Sequence, residues 1–105
     1  MEKNQPNSKL AELIREHGMC AHLEVGGQLF VFRAPTLEEW EDYQDKLVKR
    51  TRGVCFRELA QVTCVYPSVD ELQKLFERVP AVATRIADAV SDLAGADLEL
   101  TVKKG

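Results

Sequence analysis

Apolar positions recur along this chain with two different periods, and each period predicts an element. Leu10, Leu13 and Ile14 share one face of a short helix from Ser8 to His17, which Ser8 can cap and Gly18 can end. A helix of that length is marginal by itself, so it must dock on its own domain or on a partner. The polar residues 1–7, with Pro6 among them, read as a flexible arm. From His22 to Arg33 the period falls to two. Leu23 and Val25 alternate with His22 and Glu24, and Gly26-Gly27 supplies two residues that tolerate positive φ at a hairpin turn. Beyond the turn, Leu29, Phe30, Val31 and Phe32 are apolar without a break. Such a strand is either covered on both faces or keeps one face for binding.

Ala34-Pro35 stops the strand, and the period becomes helical. Thr36-Leu-Glu-Glu39 has the spacing of a capping box, and Leu37, Trp40, Tyr43, Leu47 and Val48 follow as one stripe. The acidic start (Glu38, Glu39) and basic end (Lys46, Lys49, Arg50) suit the helix dipole. Val54 to Tyr66 is expected to form a further helix with Cys55, Leu59, Val62 and Tyr66 on one face, ended by Pro67. Ser68-Val-Asp-Glu71 is a second capping-box spacing, opening a helix with Val69, Leu72, Leu75, Phe76 and Val79 inward. After Pro80, a last stripe runs through Val82, Ile86, Ala89, Val90 and Leu93 to Gly95. The tail, 97–103, alternates Leu98, Leu100 and Val102 with polar residues. It reads as a strand added to the hairpin, or as a segment that orders on binding. The expected fold is α+β and mainly α: a hairpin over about 22–33 packed on a compact bundle of about four helices over 36–95, in a single domain of residues 8–105.

At 105 residues, the length suits one core. The net charge of -3 weighs against a protein built chiefly to grip phosphate backbones. One basic cluster, Lys46, Lys49, Arg50, Arg52 and Arg57, is the candidate for a nucleic-acid site. Its plain alternative is a basic helix end followed by a solvated helix face. No apolar run approaches the ~18 residues of a membrane span, and MEKNQPNSKL has no apolar signal segment. No membrane partner is therefore expected. Three cysteines, an odd number, argue for free thiols. If Cys55 and Cys64 shared one helix, they would lie on opposite faces, ~13.5 Å apart along its axis.

Little in the chain points to chemistry. His17, Cys20 and His22 fall close together, but the H-x2-C-x-H spacing matches no strong zinc pattern. Ser8, Ser68 and Ser91 have cap or helix-surface explanations, and no G-x-S-x-G elbow occurs. Gly26-Gly27 lacks the spacing and the Lys-Ser/Thr of a phosphate loop. Neither enzyme activity, nor a metal, nor a cofactor is expected. Trp40 and Tyr43 on one stripe are either core or, if exposed, a partner site.

Glu24-Val-Gly-Gly-Gln-Leu-Phe-Val-Phe-Arg-Ala-Pro-Thr36, followed by an acidic-aromatic helix, resembles the small tail assembly chaperones of tailed bacteriophages. The resemblance extends through Val65-Tyr-Pro-Ser68, Leu72 and Phe76, and the Ala-rich segment that ends at Gly95. It covers about residues 22–95. It implies a non-enzymatic protein of the bacterial host cytoplasm that holds the hydrophobic tape-measure protein soluble during tail morphogenesis, with the tail-tube protein as a second candidate partner. The implied contact residues are Leu29, Phe30, Phe32, Trp40, Tyr43 and Phe76, some of which could be core instead. The alternatives are a small structural tail component, a regulatory protein-binding module and, more distantly, a nucleic-acid binder.

Overall fold

Both faces of the hairpin's second strand are buried, by different parts of the chain. The computed structural model describes residues 6–101 and 103. In chain order these form α1 (Pro6–His17), β1 (Cys20–Val25), β2 (Gln28–Arg33), α2 (Leu37–Lys49), α3 (Arg52–Thr63), β3 (Cys64–Tyr66), α4 (Val69–Arg78) and α5 (Val82–Leu93). The fold is thus mixed and mainly helical, with five helices and three strands among the described residues. One helix precedes the hairpin and four follow it. Of the expected arm at 1–7, residues 1–5 lie outside the described residues, and the helix begins at Pro6 rather than Ser8.

The sheet is antiparallel with β2 in the middle, in the order β1-β2-β3. Gly26 and Gly27 have φ of 57° and 83°, so the turn needs two left-handed residues in succession. Ala21 faces Phe32 and Leu23 faces Phe30 across the ladder, and this sets the inner face. There Phe30 and Phe32 join Tyr43, Cys55, Leu59, Ala60, Leu72, Leu75, Phe76, Ala83, Ile86, Ala87 and Val90 in the main core. On the outer face Leu29 and Val31 meet Leu13 of α1, with Leu10, Cys20, Val65 and Tyr66 around them.

Three expectations are corrected. The helix expected over Val54–Tyr66 ends at Thr63, and Cys64–Tyr66 becomes the third strand. Pro67 biases Tyr66 away from the helical region, Val65 and Tyr66 favour extended backbone, and β2 has an edge to pair with. Cys55 and Cys64 therefore do not share a helix, and both are free thiols. The tail forms no strand among its described residues. Leu98 and Leu100 are 73% and 92% exposed, and Val102 lies outside the described residues. Finally, the helical stripes are narrower than the periodicity predicts. Leu37 and Val48 of α2, Val62 of α3, and Val69 and Val79 at the ends of α4 are exposed. At each helix end the apolar face runs past the edge of the core it covers.

The caps follow the sequence more closely. Thr36 and Glu39 form a full capping box: the Thr36 hydroxyl accepts from the Glu39 N–H at 3.1 Å, and the Glu39 carboxylate accepts from the Thr36 N–H at 2.9 Å. Ser68 accepts from the Glu71 N–H at 3.2 Å and caps α4.

These packings predict a contrast measurable by urea unfolding. Leu72→Ala removes a fully buried side chain and should cost about 3–4 kcal/mol. Leu100→Ala should change stability by less than about 0.5 kcal/mol. A large cost at Leu100 would mean that the tail packs after all.

Candidate protein-docking surface

The six residues proposed for partner contact do not form one surface. Phe30, Phe32, Tyr43 and Phe76 belong to the main core, and Leu29 lies beneath α1. Their apolar character is explained by packing inside this chain. Trp40 alone is half-buried, packed on the edge of the core and 5.4 Å from Tyr43 between ring centroids, the two rings tilted by 42°.

What the structure brings together instead is a cleft of about 130 Å³ between α2 and α3. Tyr43, Cys55 and Leu59 give it an apolar floor, and Val62, 46% exposed, stands at its rim. Glu39, Asp42, Lys46 and Glu58 supply the polar part of the lining. Burial raises the Tyr43 hydroxyl above its ordinary pKa, with the nearby Cys55 thiol adding to this and a hydrogen bond with Ser91 opposing it.

The rim charges are already paired. Lys46 reaches Glu58 at 2.9 Å and Asp42 at 3.0 Å, while Arg50 reaches the other Glu58 oxygen at 3.0 Å. The pairing raises the Lys46 ammonium, chiefly through Glu58, and lowers the Glu58 carboxyl, chiefly through Lys46. Lys49 pairs with Asp45 at 3.0 Å on the same helix. Three members of the basic cluster thus face carboxylates of their own chain, which weakens their pull on phosphate. Arg52 and Arg57 are exposed on α3.

Arg33 closes the other end. Its guanidinium donates to both Glu39 carboxylate oxygens, at 2.8 and 2.9 Å, and to the backbone carbonyls of Ala34 at 3.0 Å and Val62 at 2.9 Å. One side chain therefore ties the end of β2, the start of α2 and the last turn of α3. This fork depresses the Glu39 carboxyl from an ordinary value of 4.5 to about 2. Phe32-Arg33-Ala34-Pro35-Thr36 is consequently a strand-to-helix corner: a core ring, a clamp, a stop and a cap.

The partnership of Glu58 with Lys46 and Arg50, like the cleft itself, lies between two helices. Its pairs are 12 and 8 residues apart in sequence, a separation that no helical period flags. His17, Cys20 and His22 do not gather a metal-binding group, nor do any three His, Cys, Asp or Glu side chains among the described residues. No helix among these residues is long and apolar enough to cross a membrane.

The fold and surface define a small α+β domain: a three-stranded sheet between a single N-terminal helix and a four-helix layer, with a shallow apolar cleft in that layer. The chain belongs to the family described as Domain of unknown function (DUF6848), whose model matches residues 24–103. It is also similar in structure to the uncharacterised protein rbstp2171 from Bacillus stearothermophilus. The TM-score is 0.70 at 19% identity, over 90% of this chain and 99% of that one. At this identity the likeness establishes a shared fold. No curated protein matches the chain.

The Arg33 clamp predicts an acid-dependent contribution to stability. Because the Glu39 pKa is depressed in the folded chain, its contribution is present above about 4.5 and is lost as the pH falls through about 2. Glu39→Gln should cost about 1–2 kcal/mol at pH 7, allowing for partial exposure. Urea titrations repeated from pH 7 downward should show the gap to the wild type closing below about 4.5. A gap that does not change with pH would show that the ionised clamp is not its source.

Proposed function

We propose that this protein is a non-enzymatic assembly chaperone of the kind that serves tailed bacteriophages, holding a hydrophobic tape-measure helix soluble, with the tail-tube protein as a further partner. The observation that supports this reading is the α2–α3 cleft. It has an apolar floor of Tyr43, Cys55 and Leu59 with an exposed Val62 at its rim, and the half-buried Trp40, outside the lining, packs its ring 5.4 Å from that of Tyr43. A small notch of this kind takes an apolar side chain of a partner helix, and the ion-paired rim keeps the free chain soluble. The negative total charge also helps to keep such a holdase from self-associating. The contact set is accordingly revised from the buried phenylalanines to the exposed Val62 and the half-buried Trp40, over a floor formed by Tyr43 and Leu59.

The test is co-expression with a tape-measure protein of a tailed bacteriophage, a long protein rich in apolar helix. That protein should become soluble and co-purify. Val62→Asp, at an exposed position, should lower the recovered complex about tenfold, corresponding to ~1.4 kcal/mol, with the melting temperature nearly unchanged. If the long protein stays insoluble and unbound beside a well-folded chain, the chaperone reading is wrong, and a docking module for another protein replaces it.

A further inference from the structure

β1 has one partner strand and one open edge. The sheet runs β1-β2-β3, so β1 bonds to β2 on one side, and among the described residues no backbone group hydrogen-bonds to its other side. The hairpin fixes which groups point there. Residues that flank a two-residue turn exchange hydrogen bonds, here Val25 and Gln28, and the pattern alternates along the strand. Ala21 and Leu23 therefore bond to β2, while Cys20, His22 and Glu24 aim N–H and C=O away from it. Such an edge is a template for another strand unless proline, a bulge or repelling charges blunt it. β1 contains no proline and pairs with β2 without a bulge.

The side chains along this edge select the strand that fits. Ala21, Leu23 and Val25 are half-buried against the main core, so their remaining apolar surface lies open on the inner side of the edge. His22 and Glu24 are exposed on the outer side. Centred on Leu23, the order is apolar, imidazole, apolar, carboxylate, apolar. A second copy that approaches antiparallel across a two-fold axis must bring outward-bonding residues opposite one another. Three centres within β1 meet that condition, and they differ in charge. Centring on His22 sets imidazole against imidazole, and centring on Glu24 sets carboxylate against carboxylate. Centring on Leu23 sets each His22 opposite Glu24 of the second copy, Ala21 opposite Val25, and Leu23 against its own equivalent. Leu23 then occupies a non-hydrogen-bonded pair, where opposed side chains come closest.

We propose that β1 is a self-association edge, pairing antiparallel with β1 of a second copy about Leu23 to join the two sheets into one. The favoured occupant is a second copy because its strand carries the matching order by symmetry, so one contact satisfies both edges reciprocally. Each His22 N–H donates to the Glu24 carbonyl of the other copy, and each Glu24 N–H to the other His22 carbonyl. An edge this short gives a weak dimer, with a Kd on the order of 10–100 μM. The edge is separate from the α2–α3 cleft and does not depend on that reading.

Sedimentation velocity of the full chain, under reducing conditions to keep Cys20 from cross-linking, should show a concentration-dependent monomer–dimer equilibrium. His22→Pro removes an outward donor and leaves the β1–β2 ladder intact, so it should weaken the dimer at least about a hundredfold with the melting temperature nearly unchanged. His22→Glu puts like charges opposite one another twice and should weaken it about tenfold, and adding Glu24→Lys should restore it. A chain that stays monomeric to about ten times the expected Kd overturns the proposal. So does a dimer that withstands His22→Pro in a folded chain, or one that the double variant fails to restore. Should His22→Pro unfold the domain, the two charge variants decide alone. Failure of the cleft reading shows elsewhere, as complex yields that ignore Val62→Asp.

Discussion

A strand that is apolar on both faces has to be buried twice, and the rest of this fold follows from that requirement. Phe30 and Phe32 turn inward to Leu72, Leu75, Ile86 and Val90, while Leu29 and Val31 turn outward to Leu13. A hairpin alone cannot meet the demand, because a two-stranded ribbon leaves both faces wet. Four helices after the hairpin cover one side. The other side falls to the one helix that precedes it.

The corner after β2 carries the second constraint. Arg33 ends the strand, grips Glu39 and Val62, and thereby fixes how α2 and α3 leave the sheet. Glu39 serves the clamp and the capping box together, so the entry of α2 is fixed by its own backbone and by β2. The α2–α3 cleft opens between the two elements that this side chain joins. Lys46, Arg50 and Glu58 tie the same two helices further along. Lys46 and Arg50, which look like part of a basic patch along the sequence, act as cross-links in space.

Much of the architecture is legible in the sequence. The hairpin turn follows from Gly26-Gly27, the start of α2 from Thr36 and Glu39, the start of α4 from Ser68, and the two-sided character of β2 from Leu29 to Phe32. These are local effects: φ > 0, an N-cap hydroxyl, and an unbroken apolar run. The third strand is less legible, because Val65 and Tyr66 continue a helical pattern, and the local bias from Pro67 and the two β-favouring residues becomes a strand where a β2 edge is there to pair with. The alternating tail misled in the opposite sense. Leu98 and Leu100 carry a strand's pattern, but the chain after Gly95 does not pair with the sheet among the described residues.

The sequence by itself determined which residues are apolar, where helices begin and turns fall, and hence a mainly helical α+β domain. Those features depend on neighbours within a few positions along the chain. Only the tertiary structure decided which apolar residues are core and which are surface. Phe30, Phe32 and Phe76 vanish inside because all four helices after the hairpin contribute to one core with them, while Val62 and Leu37, also apolar, lie beyond the edge of that core. The cleft, the Arg33 clamp and the burial of both faces of β2 arise between elements distant in sequence. Their existence depends on how the elements cross, which no local period encodes.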